Sequence, residues 1–273
     1  MNHMELRNYA ENEIHDLDGN VSLLVYDFTQ DDALLAFDVN RKLVSASMIK
    51  TPILMAALEQ VRQGKLSLEQ PIPVPCSEVL EDTEVFNCGQ KSCPLEELLT
   101  WMIINSDNTA TNILIELLGM DALNEYFREL ELRSTVLERK MLDWAAIRAG
   151  RNNYTSAKDQ LAVFSSLYHK SVLTPELCDL ALNILSRQRD FSIALRYLCA
   201  PELTFAHKTG GLDHLNHDAG IFSMPGHDYF FGCFVTDALS DSEKNPVAKR
   251  LIGRLSKAVY NYYKNSDENR QGS

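Results

Sequence analysis

The spacing of apolar residues changes its period twice along this chain. The opening residues, to about Asp16, read as a short amphipathic helix. Residues 21–28 and 34–37 are dense in branched and aromatic side chains and read as two strands, joined by the polar loop Thr29-Gln30-Asp31-Asp32. From residue 47 to about 200 apolar positions return every three or four residues. Residues 52–58 with Val61 give one helix, and Leu95, Leu98, Leu99, Met102 and Ile103 give a second. Ile113, Leu114, Leu117 and Leu118 give a third, and Leu161, Phe164, Leu167 and Tyr168 a later one. Strand-like runs then resume at 203–207 and 220–224, with Pro225-Gly226-His227-Asp228 turning the chain into 229–235. Residues 247–263 read as a closing amphipathic helix, and the polar tail from Asn265 to Arg270 as frayed.

Strands at both ends with helices between them predict an α+β fold. An antiparallel sheet is built from both chain ends and flanked by helices, with an inserted all-helical subdomain. The expected division is 1–45 plus 201–273 for the sheet-bearing part and 46–200 for the mostly helical part. The two form a single catalytic unit with the site in the cleft between them.

Composition narrows the function classes. The 273 residues hold 26 Lys+Arg against 38 Asp+Glu, a net charge of −12, and 45% are hydrophobic. That is an ordinary soluble globular balance, and its acidity disfavours nucleic acid and anionic membrane surfaces as partners. No apolar run approaches the ~18–20 residues that span a bilayer. The start, Met1-Asn2-His3-Met4-Glu5-Leu6-Arg7, lacks the basic and apolar regions of a signal peptide. As written, the chain is expected in the cytoplasm, or exported if a leader was removed. Accordingly the six cysteines (76, 88, 93, 178, 199 and 233) are expected as free thiols. Cys88 and Cys93 do not form a Cys-x-x-Cys, and no second pair with zinc spacing accompanies them.

Three short motifs carry candidate chemistry. Ser47-Met48-Ile49-Lys50 places a hydroxyl and an amine one turn apart at a helix start, and Pro52 is tolerated only near such a start. The helix dipole and a desolvated amine together activate a serine. Ser106-Asp107-Asn108 offers a second hydroxyl for proton relay and a carboxamide that both donates and accepts. Lys208-Thr209-Gly210-Gly211, read as ending the 203–207 strand, offers a cation and a hydroxyl for a carboxylate. Its glycines let the backbone approach and present an N–H to an oxyanion. Taken singly, the three also read as a capped helix with a solvated lysine, a polar turn, and a Gly-Gly turn beside a surface lysine.

Together and in this order, Ser-x-x-Lys, Ser-Asp-Asn and Lys-Thr-Gly are the signature set of class A β-lactamases and penicillin-binding proteins. The chain resembles this family of serine hydrolases over nearly its whole length, including the run from Asn105 to Asn112 and the strand–helix–strand order. The resemblance implies a β-lactamase/transpeptidase-like fold and a small-molecule acyl-amide substrate, a β-lactam or a peptide-like carboxylate. Ser47 would be the nucleophile, Lys50 would take or relay its proton, and Ser106 would protonate the departing nitrogen. Asn108 would hold the acylamide side chain, and Lys208 and Thr209, followed by Gly210, would bind the carboxylate. The backbone N–H groups of Ser47 and Gly211 would form the oxyanion hole. No metal or organic cofactor is implied.

One departure stands out. Class A enzymes carry a Glu-x-x-x-Asn on the loop after the helical block. Aligning on Thr135-x-Leu137-x-Arg139 puts Met141 and Ala145 at those positions, and neither activates water. Asp143 or Glu138 would substitute if the loop is refolded, although both read first as loop-bracing carboxylates. The segment Asn152-Asn153-Tyr154-Thr155-Ser156 also differs from the Asp-Thr-Thr that usually pins this loop. Turnover of β-lactams, and with it antibiotic resistance, therefore depends on another base. A D-alanyl-D-alanine peptidase or esterase, a penicillin-binding protein with slow deacylation, and a non-turnover binder remain the alternatives. His214, His217 and Asp218 read either as a metal pair or extra base, or as plain hydrogen-bonding residues. His207 should alternate away from the cleft, and Tyr229-Phe230-Phe231 should be core sheet.

Overall fold

A computed structural model describes the backbone of residues 1–271 and the side chains of residues 1–266. Helix α1 (His3–His15) starts at a reciprocal cap, in which Asn2 accepts the Glu5 N–H and Glu5 accepts the Asn2 N–H. Strands β1 (Asn20–Asp27) and β2 (Asp32–Phe37) form a hairpin. Strand β3 (Leu43–Val44) leads into a 3-10 turn, Ala46–Ile49, that continues directly as α2 (Lys50–Arg62). Next come β4 (Pro71–Pro73), β5 (Ser92–Pro94), α3 (Leu95–Ile104), α4 (Asn108–Leu118) and α5 (Met120–Glu129). After these the chain forms α6 (Trp144–Arg148), β6 (Tyr154–Thr155), α7 (Ala157–Tyr168) and α8 (Pro175–Ser186). It ends with β7 (Thr204–Leu212), β8 (Leu215–Met224), β9 (His227–Thr236) and α9 (Val247–Gln271).

The five long strands make one antiparallel sheet in the order β2-β1-β9-β8-β7, so strands from the two chain ends pair at its centre. Successive residues of β1 and β9 serve opposite faces. Leu24, Phe230 and Phe234 join the core made with α2, α3, α4, α7 and α8. Leu23, Val25, Phe231 and Val235 join the core under α1 and α9. Both faces are covered, which is why β1 and β9 read as almost unbroken apolar runs. Tyr229, Phe230 and Phe231 are fully buried in it, as expected of core sheet.

Four features differ from expectation. Lys208-Thr209-Gly210-Gly211 lies inside β7, and the chain turns two residues later at Asp213-His214, where His214 takes φ +59°. A glycine pair resembles a turn in sequence, but here Gly210 serves close approach. A Cβ on it would stand 3.2 Å from both Ser45 O and Met48 Cγ, in the turn that carries Ser47. Two short ladders, β3–β6 and β4–β5, punctuate the helical stretch, too brief to show a period of two. Helix α9 runs past Tyr263 to Gln271, through the tail expected to fray. Finally, Cys76 and Cys88 form a disulfide, while Cys93, Cys178, Cys199 and Cys233 are free. The loop between β4 and β5 brings those two α-carbons to 4.5 Å, a proximity that spacing along the chain does not reveal. Among the described residues no helix is long and apolar enough to cross a membrane.

Candidate active site

Ser47 sits half-buried in the 3-10 turn, one residue after Ala46, which is held at φ +44°. Such a conformation is costly for a residue with a Cβ and persists where the surroundings over-determine it. The surroundings are dense. Ser45 N donates to Asn153 O (2.8 Å) and Met48 N to Ser45 O (2.9 Å). Behind the turn, Thr51 Oγ1 donates to Met48 O (2.8 Å) and to Gln160 Oε1 (2.7 Å), and Gln160 Nε2 donates to Thr155 Oγ1 (3.0 Å). This buried network, which the motifs do not reveal, fixes the nucleophile's turn against α7.

Lys50, in the first turn of α2, is completely buried. Its ammonium reaches across to the α3–α4 junction, donating to Ser106 O, to Ser106 Oγ (3.1 Å) and to Asn108 Oδ1 (2.9 Å). Ser106 is presented by a backbone at φ +55° between α3 and α4, and Asp107 caps α4 by accepting the Ala110 N–H (2.7 Å). Lys208, equally buried on β7, donates to Ser106 Oγ from the other side (3.0 Å) and to Thr209 O (2.8 Å). One hydroxyl thus stands between two buried amines. The structure joins Lys50, Ser106, Asn108 and Lys208 by direct hydrogen bonds. Ser47 lies beside them, and among the described residues its hydroxyl carries no hydrogen bond.

Three acceptors around Lys50 favour its ammonium, whereas burial opposes it. Burial is the largest influence and, with the charge of Lys208, holds Lys50 well below the ordinary lysine range, against Asp107 and Asp82. Burial likewise takes Lys208 down to about 7, against Asp218 and Asp190. Burial thus disfavours the ammonium form of both amines, and Lys208, at about 7, is able to exchange a proton near neutrality.

Strand β7 is an edge of the sheet. In a two-residue hairpin the closing pair, Leu212 with Leu215, exchanges the hydrogen bonds. Alternation then turns the N–H of Gly211, paired with Asn216, toward the open edge. A Cβ on Gly211 would meet only Asn216 Oδ1, at 3.9 Å, so the sheet face at this residue is uncrowded. Thr209 is buried two residues earlier on the same strand.

The loop at 133–153 is braced throughout. Met141 is buried, and Asn112 clamps its backbone: Met141 N donates to Asn112 Oδ1 (2.7 Å) and Asn112 Nδ2 to Met141 O (3.2 Å). Asn112 follows Asn108 by one turn of α4, so Met141 docks on the face that bears the site. Asn153 Oδ1 accepts from the N–H of Glu138 (2.9 Å) and of Arg139 (3.1 Å), pinning the loop without a charge. Asp143 caps α6 through the Ala146 N–H, and Glu138 accepts from Asn152 N (3.1 Å). Both carboxylates brace, and neither is bonded to the lysine cluster.

The histidines disperse. His207 Nδ1 meets Asp218 Oδ1 (2.7 Å) on the side of β7 away from Lys208, stacked on Phe205. His217 Nε2 meets Val44 O (2.9 Å), burial lowering this ring to about 4, and His214 meets Ala238 O (3.2 Å). Asp218 also accepts from Ala194 N (3.0 Å). His214 and His217 turn to separate backbone carbonyls and Asp218 to His207 and Ala194 N, so the three do not converge on one metal or base.

A model of the beta-lactamase enzyme family matches residues 5–263. The chain is 26% identical to the extended-spectrum beta-lactamase PER-1 of Pseudomonas aeruginosa over 230 residues, covering 79% of this chain and 74% of that protein. It is also 26% identical to beta-lactamase VEB-1 of the same organism, covering 80% and 77%. Among solved structures, a beta-lactamase from Chitinophaga pinensis superposes with a TM-score of 0.85 at 24% identity, over 94% of this chain and 98% of that one. PBP-A superposes with 0.83 at 26% identity, over 96% of each chain, and a leucine-to-glutamate mutant of PBP-A was solved as an acyl-enzyme complex with penicillin G. With the three motifs converging on one hydroxyl and the match spanning nearly the whole chain, the protein belongs to the beta-lactamase enzyme family and is a β-lactamase-like serine hydrolase.

Proposed function

We propose that the protein acylates Ser47 with a β-lactam or a related acyl-amide bearing a carboxylate, and releases the acyl group slowly. The observation that carries this reading is the Ser106 hydroxyl held between Lys50 and Lys208 at 3.1 and 3.0 Å. Ser47 Oγ attacks the carbonyl carbon and its proton passes to Lys50 in the neutral form that burial favours. The backbone N–H groups of Ser47 and Gly211 receive the oxyanion. As the carbon–nitrogen bond breaks, Ser106 gives its proton to the nitrogen, and Lys50 replaces it. Asn108 takes the acylamide side chain, and Lys208 with Thr209 takes the carboxylate.

Slow release follows from the loop. The position aligned with a deacylating glutamate holds Met141, and Asp143 and Glu138 are spent on bracing. The penicillin G acyl-enzyme of the PBP-A mutant supports a penicillin-type probe as the first ligand to test. Intact-mass spectrometry after incubation with penicillin G is expected to show a +334 Da adduct (about the mass of the penicillin itself) lasting hours, and Ser47→Ala is expected to show none. An adduct that survives Ser47→Ala places the nucleophile elsewhere.

A pH dependence follows from Lys208. Only its ammonium attracts a carboxylate, and in the free protein that form is lost as pH rises through about 7. The second-order acylation constant is therefore expected to fall about tenfold per pH unit above that point. Lys208→Arg, charged at every working pH, should move the fall upward. A descending limb that stays put in Lys208→Arg assigns it to another group.

For the compartment, we infer an oxidising one. The Cys76–Cys88 disulfide supports the exported alternative, because cytosolic thiols are kept reduced.

A further inference from the structure

We propose that Asp82 is a positioning residue that presets the Asn108 carboxamide for the acylamide side chain of the substrate. The proposal rests on the reading of Asn108 as the group that binds this side chain. The amide orientation is not free. The Lys50 ammonium has only donors to offer, so the atom that faces it is Asn108 Oδ1 (2.9 Å), and the Asp82 carboxylate, which only accepts, requires the same orientation when the amine is neutral. Nδ2 then points the other way, where it donates to Asp82 Oδ2 at 2.6 Å. One N–H of the amide is thereby committed to Asp82, and the second is left for a substrate carbonyl. Without Asp82, one of the two partners that fix the amide plane is gone.

Asp82 is itself exposed, so its place depends on the loop that carries it. That loop is docked on the first turn of α4 by residues on either side of Asp82. Leu80 N donates to Thr109 Oγ1 (2.9 Å), and Thr83 Oγ1 donates to Asp107 Oδ2. The Thr83 hydroxyl in turn accepts from the N–H groups of Val85 (3.3 Å) and Phe86 (3.2 Å), and the Phe86 ring is buried. The Cys76–Cys88 disulfide closes the loop at its base. Leu80, Asp82 and Thr83 of one covalently closed loop therefore hold Thr109, Asn108 and Asp107, the end of the Ser-Asp-Asn motif and the residue after it. Such bracing of a binding group by a second layer of hydrogen bonds sets its precision.

The test separates this role from general stability. Acylation constants are measured on the oxidised full chain with two probes. Penicillin G carries an acylamide side chain, and penicillanic acid is the same nucleus with hydrogen in its place. Asp82 also favours the Lys50 ammonium, an effect common to both probes that cancels in their ratio. In Asp82→Ala the preference for penicillin G over penicillanic acid is expected to fall about tenfold, the usual size of one charge-assisted hydrogen bond. Asp82→Asn keeps a carbonyl acceptor and is expected to restore most of that preference. Reduction by dithiothreitol, which converts the disulfide to two thiols, is expected to lower the same ratio in the parent protein. An unchanged ratio in Asp82→Ala overturns the proposal, as does a loss in Asp82→Asn equal to that in Asp82→Ala. Failure of both probes to label the parent protein overturns the acyl-serine reading, and the positioning role with it.

Discussion

Glutamate in place of Met141 is expected to shorten the life of an acyl group on Ser47 by about 10²–10⁴-fold, the usual contribution of a positioned general base. The backbone is already suited to the exchange. Asn112 grips both the N–H and the C=O of Met141 and holds them one turn of α4 from Asn108, so only the side chain has to change. Burial would push the new carboxyl upward. The measurement is decay of the adduct by mass spectrometry, with turnover of a chromogenic β-lactam beside it. Met141→Gln supplies the same length without a base and should leave the adduct long-lived. If Met141→Glu decays no faster than Met141→Gln, the alignment of this loop is wrong or a working base already exists.

The second large effect concerns formation of the adduct. Lys50→Met is expected to slow acylation by about 10²–10⁴-fold, because the buried amine one turn from Ser47 is lost. Lys50→Arg should be equally impaired, since a guanidinium cannot become the neutral acceptor. The two variants together distinguish base from electrostatic support. Rescue by arginine would mean that charge alone is required, and would shift the base to Ser106 or to water. Removing a buried amine also removes its desolvation penalty, but it leaves Asn108 Oδ1 with one partner fewer. Labelling rates should therefore be read beside thermal unfolding.

Much of this was legible in the chain itself. The change from strand-like runs to three- and four-residue spacing and back located the sheet and the helical block, because burial on both faces leaves a continuous apolar signal. The motifs were legible because their chemistry demands specific side chains: a buried Lys50 or Lys208 has no substitute with the same proton behaviour. What escaped was contact between segments far apart in sequence. Asp82 and Thr83 look like ordinary loop residues until α4 is seen beneath them, and Cys76 and Cys88 pair only because β4 and β5 bring the loop ends together. Gly210 reads as a turn residue, although it lies inside β7, for a related reason. Its missing Cβ answers to Ser45 and Met48, more than 160 positions earlier in the chain, and not to its own neighbours.

The order β2-β1-β9-β8-β7 also bears on how the chain comes to be folded. β1 emerges long before its inner neighbour β9, which ends at Thr236. Until then β1 has only the hairpin with β2, and an isolated two-stranded hairpin is marginal in water. α1 waits in the same way for α9, which it meets through Glu13 and Arg254 (2.8 Å). Completion of the sheet thus waits for a strand far along the chain from β1, and a nascent polypeptide of this topology stays open until β9 has been made.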